Sequence, residues 1–302
     1  MRIALIGYGE VGRILAEDLR AAGHPVTAFD VKLDGPPGAS MRDHAQAHGV
    51  TLAGSHAEAV AAAELVICAV TASQTVAAAD ACAPALPAGS FFLDFNSASP
   101  GAKREAARAV ARGAGRYVEG AVMTAVPPHR SQVPLLLGGP HAAALAPGLR
   151  DLGFAPAIAS SRLGVASATK MCRSVVIKGL EAMLIESLTA ARHHGVEDAV
   201  IASLRETFPG LDWEKQATYF FQRVIEHGRR RGEELREAAV TVREAGLSPW
   251  SAAGTAERQT WVAELADGGL FGEPGSPGFA RSADWRVEAD RILDLLRGSA
   301  EQ

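Results

Sequence analysis

The sequence predicts an α/β fold in which a doubly wound parallel sheet is followed by an all-helical region. Over residues 1–162, short β-type runs alternate with Ala-rich helical stretches, which is the order that builds a parallel sheet covered by helices. From residue 163 to residue 302 the strand signals stop and long helical patterns dominate. We therefore expect two domains, a sheet domain over 1–162 and an all-helical domain over 163–302.

The elements of the sheet domain follow from short apolar runs and from cap residues. The predicted strands are Ile3–Ile6, Val26–Phe29, Leu65–Val70, Phe91–Asp94 and Tyr117–Val122, with Pro134–Leu137 and Ala155–Ala159 added at the far edge. The predicted helices between them, each with a cap or turn residue at one end, are Val11–Ala22, Ser55–Ala63, Ser73–Ala83 and Pro100–Arg112.

The second domain reads as a series of helices. Their predicted spans are Val165–His193, Val196–Phe208, Trp213–Gly228, Gly232–Ala245, Ser251–Ala266 and Trp285–Leu296. The first of them has few charged residues, so we expect it to be buried on most sides, in a domain interface or in the core of a dimer.

The composition describes a globular protein with no excess of positive charge. Of 302 residues, 48% are hydrophobic, and 30 basic residues stand against 34 acidic ones. Nucleic acid is not an expected partner, because binding it requires cations that neutralise phosphates. The uncharged stretches are too short to give the roughly 20 apolar residues of a membrane span, and the start of the chain lacks the pattern of a signal peptide. We expect a soluble cytoplasmic protein whose partner is a small molecule.

Three widely spaced cysteines stand in apolar surroundings: Cys68, Cys82 and Cys172. An odd number at such spacing favours reduced core thiols over a disulfide framework or a metal cluster. We assign them no chemical role.

The segment after the first predicted strand is a GxGxxG motif, made of Gly7, Tyr8, Gly9, Glu10, Val11 and Gly12. It stands between an apolar strand and an apolar-periodic helix, which is the context of the Rossmann dinucleotide-binding turn. The first glycine permits the tight turn, the second leaves room for a pyrophosphate, and the third lets the helix approach the strand. A glycine-rich turn without a ligand is the alternative, and the context favours the dinucleotide site.

Asp30 ends the second predicted strand, near the spacing expected for the carboxylate that binds the adenosine ribose hydroxyls. With Val31 and Lys32 it forms the predicted ribose site. A carboxylate repels a 2′-phosphate, which favours NAD over NADP. Lys32 would pair with such a phosphate and keeps NADP open, and a turn residue with no ligand is the alternative for Asp30.

Small and polar residues close two further strands at the same expected sheet edge. Val70, Thr71 and Ala72 end one strand, where backbone contact with the nicotinamide half of the cofactor is expected. Asn96 and Ser97 follow the next strand, and their amide and hydroxyl suit a carboxylate substrate. Helix capping explains Thr71 equally well, and turn formation does the same for Asn96 and Ser97.

Lys170 is the strongest single candidate for catalysis. It lies near the start of the long apolar helix in the segment GVASATK. A lysine with few solvating neighbours has a lowered ammonium pKa, which suits proton transfer at neutral pH. Dehydrogenation of an alcohol needs such a group, because hydride leaves carbon readily only as the hydroxyl proton departs. A lysine that extends to solvent from a helix end is the alternative.

Three further basic residues are not assigned to the cofactor or substrate site. His44 and His48 share one helix face at a spacing that suits metal ligands, but the sequence shows no third ligand beside them. We predict surface positions for both and no metal site. Arg130, in a Pro-rich loop, is expected to be either an anion contact or a solvated loop charge.

Taken in order, these motifs resemble the β-hydroxyacid dehydrogenase superfamily, which includes 3-hydroxyisobutyrate and 6-phosphogluconate dehydrogenases. The resemblance rests on GYGEVG at 7–12, DFNSASP at 94–100, YVEGAVM at 117–123, the glycine pair at 138–139 and GVASATK at 164–170. The stretch 227–246 is similar to the subgroup with a phosphogluconate-dehydrogenase-like C-terminal domain.

The resemblance implies a Rossmann domain, an all-α domain that forms much of a homodimer, and an NAD- or NADP-dependent oxidation of a small 3-hydroxyacid or reduction of its semialdehyde. In such enzymes the helix lysine is the general acid/base, which corresponds to Lys170. The substrate residues correspond to Asn96, Ser97, Met123, Thr124 and Ser174.

The sequence departs from the family pattern in its substrate segment. The family's Asp-x-Pro-Val-Ser-Gly-Gly is replaced by Glu-Gly-Ala-Val-Met-Thr-Ala at 119–125, and the usual Asn four residues after the lysine is Ser174. Substrate identity is therefore open. The alternatives are an imine reductase, a 6-phosphogluconate-type oxidative decarboxylase, and a dinucleotide-binding regulator without catalysis.

Overall fold

The computed structural model describes residues 1–300 and confirms the predicted fold class. The strands are β1 Ile3–Ile6, β2 Val26–Phe29, β3 Thr51–Leu52, β4 Leu65–Cys68, β5 Phe91–Asp94, β6 Arg116–Val122, β7 Pro134–Gly138 and β8 Ala155–Ser160. The helices are α1 Glu10–Ala21, α2 Gly38–His48, α3 His56–Val60, α4 Thr75–Cys82, α5 Pro100–Arg112, α6 Ala142–Asp151, α7 Val165–His194, α8 Glu197–Thr207, α9 Trp213–Glu244, α10 Trp250–Asp267 and α11 Trp285–Ala300.

The strands form one sheet in the order β3-β2-β1-β4-β5-β6-β7-β8. Neighbouring strands are parallel except β6 and β7, which pair in antiparallel orientation. The strand order reverses between β1 and β4, so the loops after β1, β4 and β5 meet at one edge of the sheet. In open α/β sheets this is the place where ligands bind.

Helices cover both faces of the sheet, and the alternation within β1 shows how the sequence encodes this. Ile3 and Leu5 belong to the apolar cluster on one face, whereas Ala4 and Ile6 belong to the cluster on the other. Because successive side chains of a strand point to opposite faces, a strand covered on both sides is apolar at every position.

The chain divides into two compact units, Met1–Cys172 and a second unit that begins at Arg173. The border between these units lies inside α7. The second unit has its own apolar core, which includes Leu188, Phe221 and Trp285.

The predicted helices Trp213–Gly228 and Gly232–Ala245 form one long helix, α9. Gly228 and Gly232 lie inside this helix and do not end it. A Cβ atom at Gly228 would lie 2.5 Å from the backbone oxygen of Gln259, and one at Gly232 would lie 2.6 Å from the hydroxyl of Thr260. These glycines therefore allow α9 and α10 to pack closely. From the sequence alone, a glycine that permits close helix packing cannot be distinguished from a glycine that ends a helix.

Other elements differ from the prediction in smaller ways. Helix α6, which contains Pro147, and the two-residue strand β3 were not predicted. The predicted helix at 55–63 is the shorter α3. Among the cysteines, Cys68 and Cys82 are buried as expected, but Cys172 is exposed, so its assignment to the core was wrong. Within residues 1–300, every helix is too short or too polar to cross a membrane.

Candidate cofactor and substrate site

The turn after β1 has the backbone geometry of a dinucleotide cradle. Gly7 has a φ of +94°, and a Cβ atom there would lie 2.3 Å from the backbone oxygen of Ala69. A Cβ atom at Gly12 would lie 2.2 Å from the backbone oxygen of Gly7. At Gly9, by contrast, a Cβ atom would meet no protein atom within 4 Å. Gly7 and Gly12 are thus required by packing, and Gly9 leaves open space beside the turn.

The start of α1 supplies the anion site of this cradle. The helix begins at Glu10 with Gly9 in the N-cap position. The first backbone N–H groups of a helix lack intrahelical acceptors and carry the positive end of the helix dipole, so they favour a phosphate. The residues present therefore fit a dinucleotide.

Asp30 is attached to this turn through one carboxylate oxygen, and its other oxygen accepts a hydrogen bond within its own loop. Oδ2 accepts a hydrogen bond from the backbone N–H of Tyr8 at 2.7 Å, and Oδ1 accepts one from the backbone N–H of Lys32 at 2.9 Å. Each oxygen keeps a second lone pair for a ribose hydroxyl. Lys32 also lines a cavity of about 560 Å³ that extends along α1, and Gly9 and Arg13 line the same cavity. Val31 is exposed.

Asn96 joins the ends of β4 and β5. Its side-chain oxygen accepts a hydrogen bond from the backbone N–H of Val70 at 2.7 Å, and its amide nitrogen lies 3.5 Å from the Cys68 sulfur. Asn96 is buried, so its amide fixes the backbone at Val70. Thr71 and Ala72 follow directly, at the start of a short 3-10 turn.

A buried ion pair lies beneath the same loop. The Lys103 ammonium is 2.8 Å from Oδ1 of Asp94, and the Tyr117 hydroxyl donates to Oδ2 of Asp94 at 2.6 Å. Both charged side chains have no exposed surface. Burial, together with the adjacent Asp94 carboxylate, raises the pKa of Tyr117 well above its usual value, so the phenol remains a donor. The network fixes the end of β5, from which the candidate substrate residues continue.

Glu119, on β6, holds the N-terminus of α7. One carboxylate oxygen accepts a hydrogen bond from the backbone N–H of Gly164 at 2.7 Å, and the other accepts one from the backbone N–H of Ser167 at 2.6 Å. Glu119 is fully buried. It therefore satisfies two of the free N–H groups at the start of the helix, and its negative charge is favourable at that end of the helix dipole.

The first glycine of the pair at 138–139 makes room for this carboxylate. A Cβ atom at Gly138 would lie 2.5 Å from Oε2 of Glu119. Gly138 is thus part of the support for α7.

Lys170 lies one turn beyond the residues that Glu119 holds. Its amine donates a hydrogen bond to the hydroxyl of Ser97, in the loop after β5. Both residues are half-buried. The structure thus brings together Lys170 and Ser97, which the sequence singled out on separate grounds.

The remaining predicted substrate residues lie on two elements. Met123 and Thr124 directly follow β6, and the backbone N–H of Met123 donates to Pro134 at 2.9 Å. Ser174 is buried on α7, within the second unit. Their contact with substrate stays a prediction.

Arg130 is an ion-pair residue rather than a solvated loop charge. Its guanidinium lies 2.7 Å from a carboxylate oxygen of Glu17 and 2.7 Å from one of Asp18, and it attaches the loop to α1.

Comparison with known proteins agrees with this geometry. Residues 2–146 match the family described as the NAD binding domain of 6-phosphogluconate dehydrogenase, and residues 191–262 match a domain of unknown function, DUF1932.

A conserved hypothetical protein from Sinorhizobium meliloti is 35% identical, with a TM-score of 0.77 over 97% of this chain and 96% of that one. A conserved protein of unknown function, described as structurally similar to 3-hydroxyacid dehydrogenases, is 28% identical, with a TM-score of 0.68 over 88% of this chain and 99% of that one. The chain belongs to the β-hydroxyacid dehydrogenase superfamily.

The fold is also similar to that of a more distant solved structure. The 3-hydroxyisobutyrate dehydrogenase of Mycobacterium tuberculosis, solved with L-serine, is 19% identical, with a TM-score of 0.70 over 97% of this chain and 99% of that one. As a β-hydroxyacid dehydrogenase relative, the present chain is an oxidoreductase whose cofactor is NAD or NADP.

Proposed function

We propose that the protein transfers hydride between a nicotinamide cofactor and a small 3-hydroxyacid or its semialdehyde or keto form, with Lys170 as general acid/base. The observation that carries this proposal is the hydrogen bond from Lys170 to Ser97 in the loop after β5. That loop lies at the same edge of the sheet as the dinucleotide turn, since β1, β4 and β5 are parallel neighbours.

Different residues of the chain bind the cofactor and transfer the proton. Gly9 and the start of α1 hold the pyrophosphate, and Asp30 binds the ribose hydroxyls. When bound, the nicotinamide accepts or supplies the hydride. The neutral amine of Lys170 accepts the substrate's hydroxyl proton as hydride leaves the carbon, and in the reverse direction its ammonium returns that proton to the carbonyl oxygen.

Asn96 and Ser97 have different roles in this proposal. The Asn96 amide is bonded to protein groups on both sides, so it positions the loop. Ser97 is half-buried and bonded to Lys170, which favours it as the direct substrate contact. Met123 and Thr124, after β6, complete the proposed substrate contacts.

The proposal includes NAD as the preferred cofactor and a homodimer. The Asp30 carboxylate next to the dinucleotide turn supports NAD, because it would repel a 2′-phosphate. Exposed apolar side chains on α7, including Val176 and Met183 at 67% and 62% exposure, support a second copy as their partner.

A substrate panel tests the reaction class. Purified protein is mixed with NAD or NADP and each of several 3-hydroxyacids, and in parallel with the reduced cofactors and semialdehydes, while the absorbance of the reduced nicotinamide is followed. We expect turnover of a 3-hydroxyacid with NAD. Turnover confined to imines, or to phosphorylated sugar acids with release of CO₂, would replace the proposal with one of those activities. Tight NADH binding with no turnover of any compound would indicate a regulator.

Gly9→Ala tests the cofactor cradle without disturbing the fold. The added methyl group meets no protein atom within 4 Å, so the melting temperature should fall only by the small amount expected when alanine replaces an N-cap glycine. It would occupy the space into which the pyrophosphate approaches, so we expect NADH affinity to fall by tenfold or more, about 1.4 kcal/mol. Fluorescence titration with NADH measures the change.

Gly254→Ala is the matched control, because its Cβ atom also meets no atom within 4 Å and it lies on α10, in the second unit. Unchanged NADH affinity in Gly9→Ala would mean that the cofactor does not approach this turn.

A further inference from the structure

We propose that Glu17, His44 and His48 bind a divalent transition-metal ion of the zinc type. Glu17 lies on α1, and the two histidines lie on α2. One potential ligand atom from each of the three residues lies within 4.8 Å of the other two. The sequence showed two histidines at metal-compatible spacing, and the fold adds the third ligand from a helix that is distant along the chain.

The distance between the Glu17 and His44 ligand atoms is close to that between two ligands of a tetrahedral ion, and the His48 ring lies beside that of His44. Nε2 of His44 is 3.0 Å from Oε1 of Glu17, and the His44 and His48 ring centroids are 4.5 Å apart. With metal–ligand bonds of about 2.0–2.1 Å, two donors of a tetrahedral zinc ion are separated by about 3.3 Å. The His44–Glu17 pair therefore needs to open by only a few tenths of an ångström to admit an ion.

Two neighbouring side chains form hydrogen bonds with the proposed ligands and orient them. Nδ1 of His44 lies 2.8 Å from the hydroxyl of Tyr8, which is fully buried. A ligating histidine ordinarily donates a hydrogen bond from its other ring nitrogen, which fixes its tautomer and orientation. Oε2 of Glu17 accepts a hydrogen bond from Arg130 at 2.7 Å, which directs Oε1 towards His44.

The donor set indicates which ion the site prefers. Two imidazoles and one carboxylate match zinc and its transition-metal neighbours, whereas magnesium and calcium prefer oxygen ligands alone. Glu17 and His44 also line the 560 Å³ cavity along α1, which gives solvent access to a fourth coordination position. His48 is exposed, so the ion has a route from solvent.

Zinc titration of chelator-treated, full-length protein tests the site. Isothermal titration calorimetry without cofactor or substrate should show one high-affinity zinc ion per chain, and zinc should raise the melting temperature, because an ion bound only by the folded state stabilises it. In His48→Ala we expect zinc affinity to fall at least about tenfold. Circular dichroism establishes that this exposed-site variant is folded.

His193→Ala is the control for adventitious binding, since His193 and His194 form an exposed adjacent pair at the end of α7. It should leave the high-affinity event unchanged. The absence of saturable zinc binding would overturn the proposal, and so would a loss in His193→Ala equal to that in His48→Ala. Because the titration contains no substrate, its result is independent of the dehydrogenase activity.

Discussion

Replacing Lys170 with alanine should lower kcat by about 10²–10⁴-fold, the usual contribution of a positioned general acid or base. The amine that exchanges the hydroxyl proton is removed, and the dinucleotide turn is untouched. NADH affinity should therefore equal that of the wild type, because Gly9 and Asp30 do not contact Lys170 in the proposed assignment of roles. Steady-state kinetics with the substrate found in the panel and NADH fluorescence titration measure the two quantities.

Thr169→Ala is the matched control for this variant. Thr169 precedes Lys170 on α7, is exposed, and makes a hydrogen bond to the backbone oxygen of Val165 within its own helix. It should retain the wild-type kcat, because Thr169 has no assigned role in the reaction and an exposed substitution changes the free energy of unfolding by no more than about 0.5 kcal/mol. Full activity in Lys170→Ala would remove the lysine from the mechanism.

Glu119→Gln should lower kcat strongly and also lower the melting temperature. Both oxygens of Glu119 accept backbone N–H groups, so the NH₂ group of a glutamine must face a donor at Gly164 or at Ser167. Leaving one buried N–H without an acceptor costs about 1–3 kcal/mol. The first turn of α7 would then shift or fray, and Lys170 would lose its position beside Ser97.

The kinetic pattern separates positioning from a general loss of fold. We expect kcat to fall while NADH affinity stays at the wild-type value, since the folded fraction keeps the dinucleotide turn intact. Ser167→Ala is the control, because it removes the hydroxyl and keeps the backbone N–H that donates to Glu119. Wild-type kcat in Glu119→Gln at a temperature where the variant is folded would show that Glu119 does not position Lys170.

The sequence predicted the fold where a local pattern was sufficient. The strands β1, β2 and β5 have the predicted bounds, because each is a short apolar run between polar or glycine-rich segments. Helix α7 was predicted nearly to its last residue from its length and apolar character. By contrast, α6 was missed because Pro147 disfavours a helix interior, although the helix forms around it through tertiary packing.

The sequence predicted individual residues of the site but not the contacts that hold them in place. The turn from Gly7 to Gly12 and Lys170 stood out because each combines a residue type with a local context. The hydrogen bonds between Glu119 and the start of α7 did not stand out, because Gly164 and Ser167 lie 45 and 48 positions after Glu119 in the chain. A carboxylate inside an otherwise apolar strand was the available signal, because a buried charge requires partners.

The same limit applies to the pairings around the site. The ion pair of Lys103 with Asp94 and the approach of Glu17 to His44 depend on how helices pack on the sheet. No spacing along the chain specifies these contacts, whereas the i, i+4 spacing of His44 and His48 specifies a shared helix face.

A crystal structure of the complex with NAD and the best 3-hydroxyacid tests the central claim most directly. We predict that Nζ of Lys170 lies within hydrogen-bond distance of the substrate hydroxyl, about 2.6–3.2 Å, on the carbon that faces the nicotinamide. A substrate hydroxyl bonded to another ionisable side chain, with the Lys170 amine pointing away from the reacting carbon, would contradict the account.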